Sequence, residues 1–423
     1  MTRPAPVGDS ALPADGVGIT NAYRGESLGT AMQTVDAAGL QIGDDQPPRI
    51  MGVLNVSKES PYSPSVYDDP AEAAAYVDEE LIGEGADIVD VGLESANKRL
   101  DVLSAQEELD RLDTAIETLE SVSGDAVFSI ETRYAEVAEA AIQGGFDMVN
   151  DICGFADPEM PEICREYDVA VSKMASPPDL DRPGAVEATD WADRRSAAWA
   201  ESADYVDQVY EALKQHGFTD KTMVDPAFGG WSETKTIADD HATFERLREF
   251  RGFGRPILVS INRKNFLRSI ADRSTEAALP VSLAATAMAV ERGAHIVRTH
   301  DVRETVDAAK IGAAFTERVS VTGGDVSVTE LDARHATEVA RHLETLGAAT
   351  DEADAYVDRV FEVRGLAPDE VSALTTVAES AGLVATAGDG GLLVGGRLDA
   401  FDDAAAELSG RPVFEPLVEA ITT

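Results

Sequence analysis

Cysteine is nearly missing from this chain: Cys153 and Cys164 are the only two in 423 residues. That excludes a disulfide framework and a cysteine-built zinc site, and both read as reduced core thiols of a cytoplasmic protein. Positive charge is also scarce. Lys and Arg together number 35 against 78 Asp and Glu, for a formal net charge of −43, and only eight of the cations are lysine. Such a field disfavours nucleic acid and anionic membrane as partners, so an anionic substrate needs a few local Arg and Lys residues. No apolar run approaches the roughly 18 residues of a transmembrane helix. Met1-Thr-Arg-Pro-Ala-Pro leads into no apolar stretch, so no secretory signal is expected. Hydrophobic residues still make up 44 %. The acidic, Lys-poor surface is therefore read as a halophile's means of staying soluble in salt, not as a disordered tail.

The core is organised by short apolar runs that end in polar residues. Ile50-Met-Gly-Val-Leu-Asn-Val-Ser57 has the pattern of a buried parallel strand with an Asn at its end. Ala86–Glu94, Ala126–Glu131, Met148–Asp151, Thr222–Asp225, Pro256–Lys264 and His295–Asp301 repeat the pattern, and Val169–Met174 is a weaker instance. Strands are expected at 50–56, 86–92, 126–131, 147–152, 168–174, 222–227, 256–262 and 295–300. Helices are expected at 70–84, 105–121, 133–144, 158–166, 190–216, 238–250, 277–292 and 303–317. Alternating β and α runs imply a parallel sheet, and eight units over this length fit a (β/α)8 TIM barrel. An open doubly wound sheet would show a glycine-rich turn after its first strand, and none is present.

The expected organisation is an N-terminal extension (1–47) of short elements or a capping hairpin, the barrel (48–320), and a small α+β domain (326–423). In the last, a strand at 326–331, helices at 333–346, 351–363, 367–381 and 400–409, and a hairpin at 383–396 turning on Asp389-Gly-Gly391 are expected.

Barrel enzymes build their active sites where the strands end. The strand-end residues are Asn55, Glu94, Ser95, Glu131, Asn150, Asp151, Asp225, Asn262, Arg263, Lys264, Arg298, His300 and Asp301. Glu131, Asn150 and Asp225 suit a flat heterocycle carrying both N–H donors and ring acceptors. Lys264, Arg298 and His300, with Asn55, fall on the loops after strands seven and eight, a frequent phosphate site of this fold.

Ile50–Ser57, Val91-Gly-Leu-Glu-Ser95, Asn150-Asp-Ile152, Val224-Asp-Pro226, Asn262-Arg-Lys264-Asn-Phe266 and Val297-Arg-Thr-His-Asp301, in this order, resemble the dihydropteroate synthase family of pterin-binding barrels over about 50–317. The resemblance implies a diverged, haloarchaeal-type transferase of folate biosynthesis. Such an enzyme joins 6-hydroxymethyl-7,8-dihydropterin pyrophosphate to p-aminobenzoate or a related arylamine, uses Mg²⁺ and works as a homodimer. It implies that Glu131, Asn150 and Asp225 grip the pterin, with Ser95, Asn262 and Phe228 also binding substrate. Lys264 would contact the pterin and the departing side, Arg298 and His300 would hold the pyrophosphate, and Asn55 would bind the metal. A pterin-dependent methyltransferase serving a corrinoid protein, or a non-catalytic pterin-binding paralogue, are the alternatives.

Three stretches depart from the family. Ser57-Lys-Glu-Ser-Pro-Tyr-Ser-Pro-Ser65 stands in place of Thr-Pro-Asp-Ser-Phe-Ser-Asp-Gly-Gly, and Glu94-Ser-Ala-Asn-Lys98 in place of Glu-Ser-Thr-Arg-Pro. Around Lys173-Met174-Ala175 the family's Met-His pair is replaced, and its strand-three Asp is Glu131. The pterin and phosphate residues are kept, while the second-substrate residues are altered.

Overall fold

The computed structural model describes residues 32–57, 63–94, 102–177, 189–229, 235–316, 320–323, 326–388 and 391–422. β1 (Val35–Ala37) and β2 (Leu40–Ile42) pair as an antiparallel hairpin. β3 (Arg49–Asn55), β4 (Ile88–Gly92), β5 (Val127–Thr132), β6 (Met148–Asp151), β7 (Ala170–Met174), β8 (Thr222–Asp225), β9 (Leu258–Val259) and β10 (Ile296–Thr299) follow, with helices between them. These eight form one parallel sheet in the order β8-β7-β6-β5-β4-β3-β10-β9. A parallel bridge between Val224 and Ile257 joins its two ends, with the Val224 N–H donating to the Pro256 carbonyl at 2.9 Å. The expected barrel is present. β9 is far shorter than expected: Pro256 has no N–H to give a ladder, and the chain already turns back at Ile261, whose carbonyl accepts from Lys264 N–H at 3.3 Å.

The barrel interior is ordered in layers. Met51, Ile88, Val127, Met148, Ala170, Met223, Leu258 and Ile296, one from each strand, cluster with Val35, Ala37 and Ile42 of the hairpin. The hairpin therefore plugs the end where the strands begin. Asp44, just after it, accepts from both terminal nitrogens of Arg251 at 3.0 and 2.9 Å and lies 3.0 Å from His295 Nε2. Because the strand period is two, the residues two places on also face inward. They are Val53, Asp90, Ser129, Asn150, Ser172, Asp225, Ser260 and Arg298. One step up the barrel, the lining changes from wholly apolar to mostly polar. The outward faces of the strands are buried too, under the helices, which is why each strand reads as a nearly continuous apolar run.

The helices mostly fall where periodicity places them, with two corrections. The single helix expected over 190–216 is three: Trp191–Arg194, Ala197–Ser202 and Tyr205–Lys214. Ser196 and Asp204 break it, each leaving the helix for an extended backbone and capping the next helix with its own side chain. The helix expected over 351–363 is a single turn, Ala353–Tyr356, followed by β13 (Asp358–Val363), counted after the hairpin β11 (Ser320–Gly323) and β12 (Val326–Thr329). The alternating burial of Asp358–Val363 is that of a strand.

β13 joins β14 (Val384–Gly388) and β15 (Gly391–Arg397) in an antiparallel sheet ordered β13-β15-β14. The expected hairpin is thus present, although Asp389 and Gly390 of its turn lie outside the described residues. Helices Pro368–Ser380, Leu398–Leu408 and Glu415–Thr422 share a core with this sheet through Leu374, Val377, Leu392, Val394, Phe401 and Leu408.

Candidate functional site

Arg298 stands at the centre of the polar layer. Its Nε donates to Asp90 Oδ2 at 2.7 Å and its Nη2 to Glu131 Oε2 at 2.5 Å. Asp90, fully buried, also accepts from Ser129 Oγ at 2.8 Å and Asn150 Nδ2 at 3.0 Å. Asp90 thereby aligns a cation, a carboxamide and a hydroxyl. The strand-end reading passes over it, although an acid on the inward parity of an apolar strand was a signal for it. Burial disfavours the Arg298 charge, but Glu131 and Asp90 outweigh it and hold the guanidinium above its ordinary range. Burial pushes Glu131 up, opposed by Arg298.

Asp225 and Lys264 form the other side. Burial raises Asp225 to about 6, against the Ala227 N–H that it accepts at 2.7 Å and the Lys264 charge. Burial and the Arg298 charge both pull Lys264 down, with Asp225 and Asp240 opposing. Gly229 makes room for this lysine. It holds φ +92°, and a Cβ there would stand 2.8 Å from Lys264 Nζ. Its N–H donates to Asp240 at 3.1 Å, and Asp240 pairs with buried Lys235 at 2.6 Å. Lys235 and Asp240 were not anticipated from sequence; they hold the loop that carries Gly229. Phe228 is buried in a cluster with Phe266, stacked at 5.7 Å, and Phe244, edge-on at 6.1 Å. It supports the loop from within the core.

The ends of β9 and β10 are tied together. Arg263 grips Asp301 with two bonds of 2.8 Å, and Asn262 Nδ2 donates to Asp301 Oδ2 at 2.9 Å. Asn262 thus braces the loop bearing His300. His300 Nδ1 lies 3.3 Å from Ser65 Oγ, which accepts from Asn55 Nδ2 at 2.9 Å. Burial, with the Arg298 charge, lowers His300 to about 3, so its imidazole is neutral near pH 7. It can hydrogen-bond to an anion but adds no charge. Asp151 points elsewhere: its carboxylate accepts from the Cys153 and Phe155 N–H groups at 2.7 and 2.6 Å and shapes the turn after β6. Glu94 pairs with Arg133 and accepts from Leu103 N–H at 3.0 Å. Ser95 and the altered stretches at 58–62 and 95–101 lie outside the described residues.

One buried acid behind the site gives a pH-dependent stability. Glu108, on helix Ala105–Ser121, accepts from Thr132 Oγ1 at 2.5 Å, and burial raises it to about 7 from an ordinary 4.5. Its folded-state pKa is raised, so its ionisation costs stability above about pH 7, and the cost disappears as the pH falls toward 4.5. Glu108→Gln is expected to stabilise the protein at pH 8 by an amount on the order of 2 kcal/mol, with the gain fading by pH 5. Denaturant titrations at both pH values check this; a gain of equal size at each would refute it.

Fold and lining together define a (β/α)8 barrel whose polar layer and mouth bring carboxylates and a carboxamide beside two half-buried cations, Lys264 and Arg298. The sequence profile of the pterin binding enzyme family matches residues 51–300. The chain belongs to that family.

Among its relatives is a protein of Halobacterium salinarum described as a probable bifunctional folylpolyglutamate synthase/dihydropteroate synthase. It is 33 % identical over 265 residues, which are 63 % of this chain and 31 % of the relative. The present chain therefore spans about a third of that protein. The dihydropteroate synthase of Bacillus subtilis is 28 % identical over 280 residues, covering 65 % of this chain and 91 % of the relative. Among solved structures, a Coxiella burnetii dihydropteroate synthase in complex with pteroic acid is similar with a TM-score of 0.53 and 29 % identity. The likeness covers 66 % of this chain and 97 % of that one. The Xanthomonas albilineans enzyme with 4-aminobenzoic acid is similar with a TM-score of 0.52 and 27 % identity, over 66 % and 97 % of the two chains.

Proposed function

We propose that this chain condenses 6-hydroxymethyl-7,8-dihydropterin pyrophosphate with p-aminobenzoate or a related arylamine, giving the dihydropteroate-type product and pyrophosphate. The observation that carries this reading is the single polar layer in which Asn150, Asp225 and Arg298 stand together, with Glu131 bonded to Arg298 and Lys264 close to Asp225. Asp225 and Asn150 supply the acceptors and donor that a pterin edge requires. Lys264 and the remaining N–H groups of Arg298 would face the diphosphate, with neutral His300 as a further hydrogen-bonding group. The C–O bond at the pterin methylene breaks with its electron pair going to pyrophosphate. The arylamine nitrogen bonds to that carbon and gives up a proton to solvent. Charge on the leaving group is the main barrier, and fixed cations in a dry site lower it. Ala96 and Asn97, where the resembled family has Thr and Arg, favour keeping related arylamines among the candidate second substrates.

Mg²⁺ is part of this reading. Asn55 Nδ2 is anchored on Ser65, which orients its carbonyl oxygen, and that oxygen would stand 3.1 Å from a Cβ at Gly92. A single hard oxygen donor suits an ion that retains waters and is held chiefly by substrate phosphates. When bound there it would neutralise diphosphate charge. A corrinoid methyltransferase and a binding-only paralogue release no diphosphate, so neither accounts for Lys264 at the mouth of the barrel. The reading places the enzyme in a salt-rich cytoplasm as a homodimer. The net charge of −43 and the haloarchaeal relative support the salt-rich setting, and the homodimer is what the family resemblance implies. No described helix is long and apolar enough to cross a membrane.

The test is a mass-spectrometric synthesis assay in molar KCl with Mg²⁺, the pterin pyrophosphate and a panel of arylamines. A condensed product supports the reading; pterin binding without product from any arylamine overturns it in favour of a binding subunit. Asp225→Asn is expected to weaken pterin binding by roughly 1.5–3 kcal/mol, the range for a hydrogen bond to a charged group. Calorimetry with the pterin alone checks this, and unchanged affinity would take Asp225 out of the site.

A further inference from the structure

Two serines stand in the polar layer of the barrel on strands flanking Asn150, and they are treated differently. Ser129 Oγ donates to Asp90 at 2.8 Å. Ser172 is fully buried, and its Oγ has no hydrogen-bond partner among the described protein groups. Its direction follows from its neighbours. Ala170 belongs to the interior floor, and Val171 packs in the outer core beneath the helices. Lys173 also faces outward, donating to the Leu213 and Gly217 carbonyls at 3.0 and 2.9 Å at the end of helix Tyr205–Lys214. Ser172 therefore faces inward. Its backbone pairs with Asn150 on one side, and Met174, two places on, pairs with Asp225 on the other. A buried hydroxyl with no partner is a standing cost, yet an apolar side chain of similar size would fit without it.

We infer that Ser172 is a further substrate-contacting and specificity-determining residue, whose hydroxyl hydrogen-bonds to the polar edge of the pterin ring beside Asn150. The inference rests on the pterin reading above. A hydroxyl can donate or accept, so it suits either a ring nitrogen or an exocyclic group. A site built around such a group discriminates against rings that lack the matching atom, because the hydroxyl then stays unpaired.

The test uses the full chain and 6-hydroxymethylpterin as the probe, by calorimetry in molar KCl, with thermal unfolding of the ligand-free protein alongside. Ser172→Ala is expected to weaken the probe about five- to tenfold, the range of one neutral hydrogen bond. It should leave the ligand-free melting temperature equal or higher. Equal affinity in the variant overturns the inference while leaving the pterin reading intact. Weaker binding with a melting temperature several degrees lower also overturns it, by showing that the hydroxyl is structural. No binding by the unaltered chain removes the pterin reading and the inference with it.

Discussion

Lys264→Ala is expected to reduce product formation by a factor on the order of 10²–10³, the loss seen when one preorganised charge-stabilising group is removed. It should leave the folded state no less stable than before. Both expectations have one cause. Lys264 stands half-buried near Arg298, where desolvation and that like charge lower its affinity for a proton. An ammonium held in that place is unfavourable for the empty protein and useful only when a more negative partner arrives. A variant that loses activity and fold together would show Lys264 to be a structural cation; one that keeps activity would remove it from the mechanism. Gly229→Ala is an independent check, since its Cβ would fall 2.8 Å from Nζ and displace the amine without removing it.

Arg298→Met is expected to act in the opposite way, costing stability as well as activity. The guanidinium is the shared partner of Asp90 and Glu131. Removing it leaves two carboxylates in a buried layer, and breaking a buried pair of this kind costs roughly 3–5 kcal/mol. The pH dependence has a definite sign. Glu131 is already raised by burial, and loss of Arg298 removes the main group opposing that rise. Its ionised form is then the unfavourable one, so the destabilisation should be greatest above neutral pH and shrink as falling pH protonates the carboxylate. Urea unfolding of both proteins at pH 8 and pH 5 measures this. A loss below about 1 kcal/mol would contradict the buried-pair account, and so would a loss independent of pH. Lys264 and Arg298, both cations of one site, are thus expected to separate cleanly: one dispensable to the fold, the other required by it.

Much of the placement of the candidate site residues was legible because a strand alternates with a period of two. Once Asn150, Asp225 and Arg298 are placed in barrel strands, their inward direction follows from the apolar residues two places before them, Met148, Met223 and Ile296. The same rule points to Asp90 and Ser172, which the strand-end reading passed over because each lies before its strand's end. Where the reading failed, capping or pairing overrode periodicity. The 190–216 pattern could not reveal that Ser196 and Asp204 would close one helix and start another. At 358–363 a strand needed β15 beside it before its alternation outweighed a helical reading.

The sequence by itself determined the barrel, the order of its strands and the set of polar residues at its mouth, because these depend on local periodicity and on which residues can be buried. Only the tertiary structure decided which of those residues share a bond. Arg298 is 208 positions from Asp90 and 167 from Glu131 in the chain. Only the closed barrel brings Asn262 against Asp301 and Phe228 against Phe266 and Phe244. Such choices depend on which side chains meet after the ring of strands closes, and on how burial then weights each charge against its neighbours. Neither quantity exists in the chain until the barrel has formed.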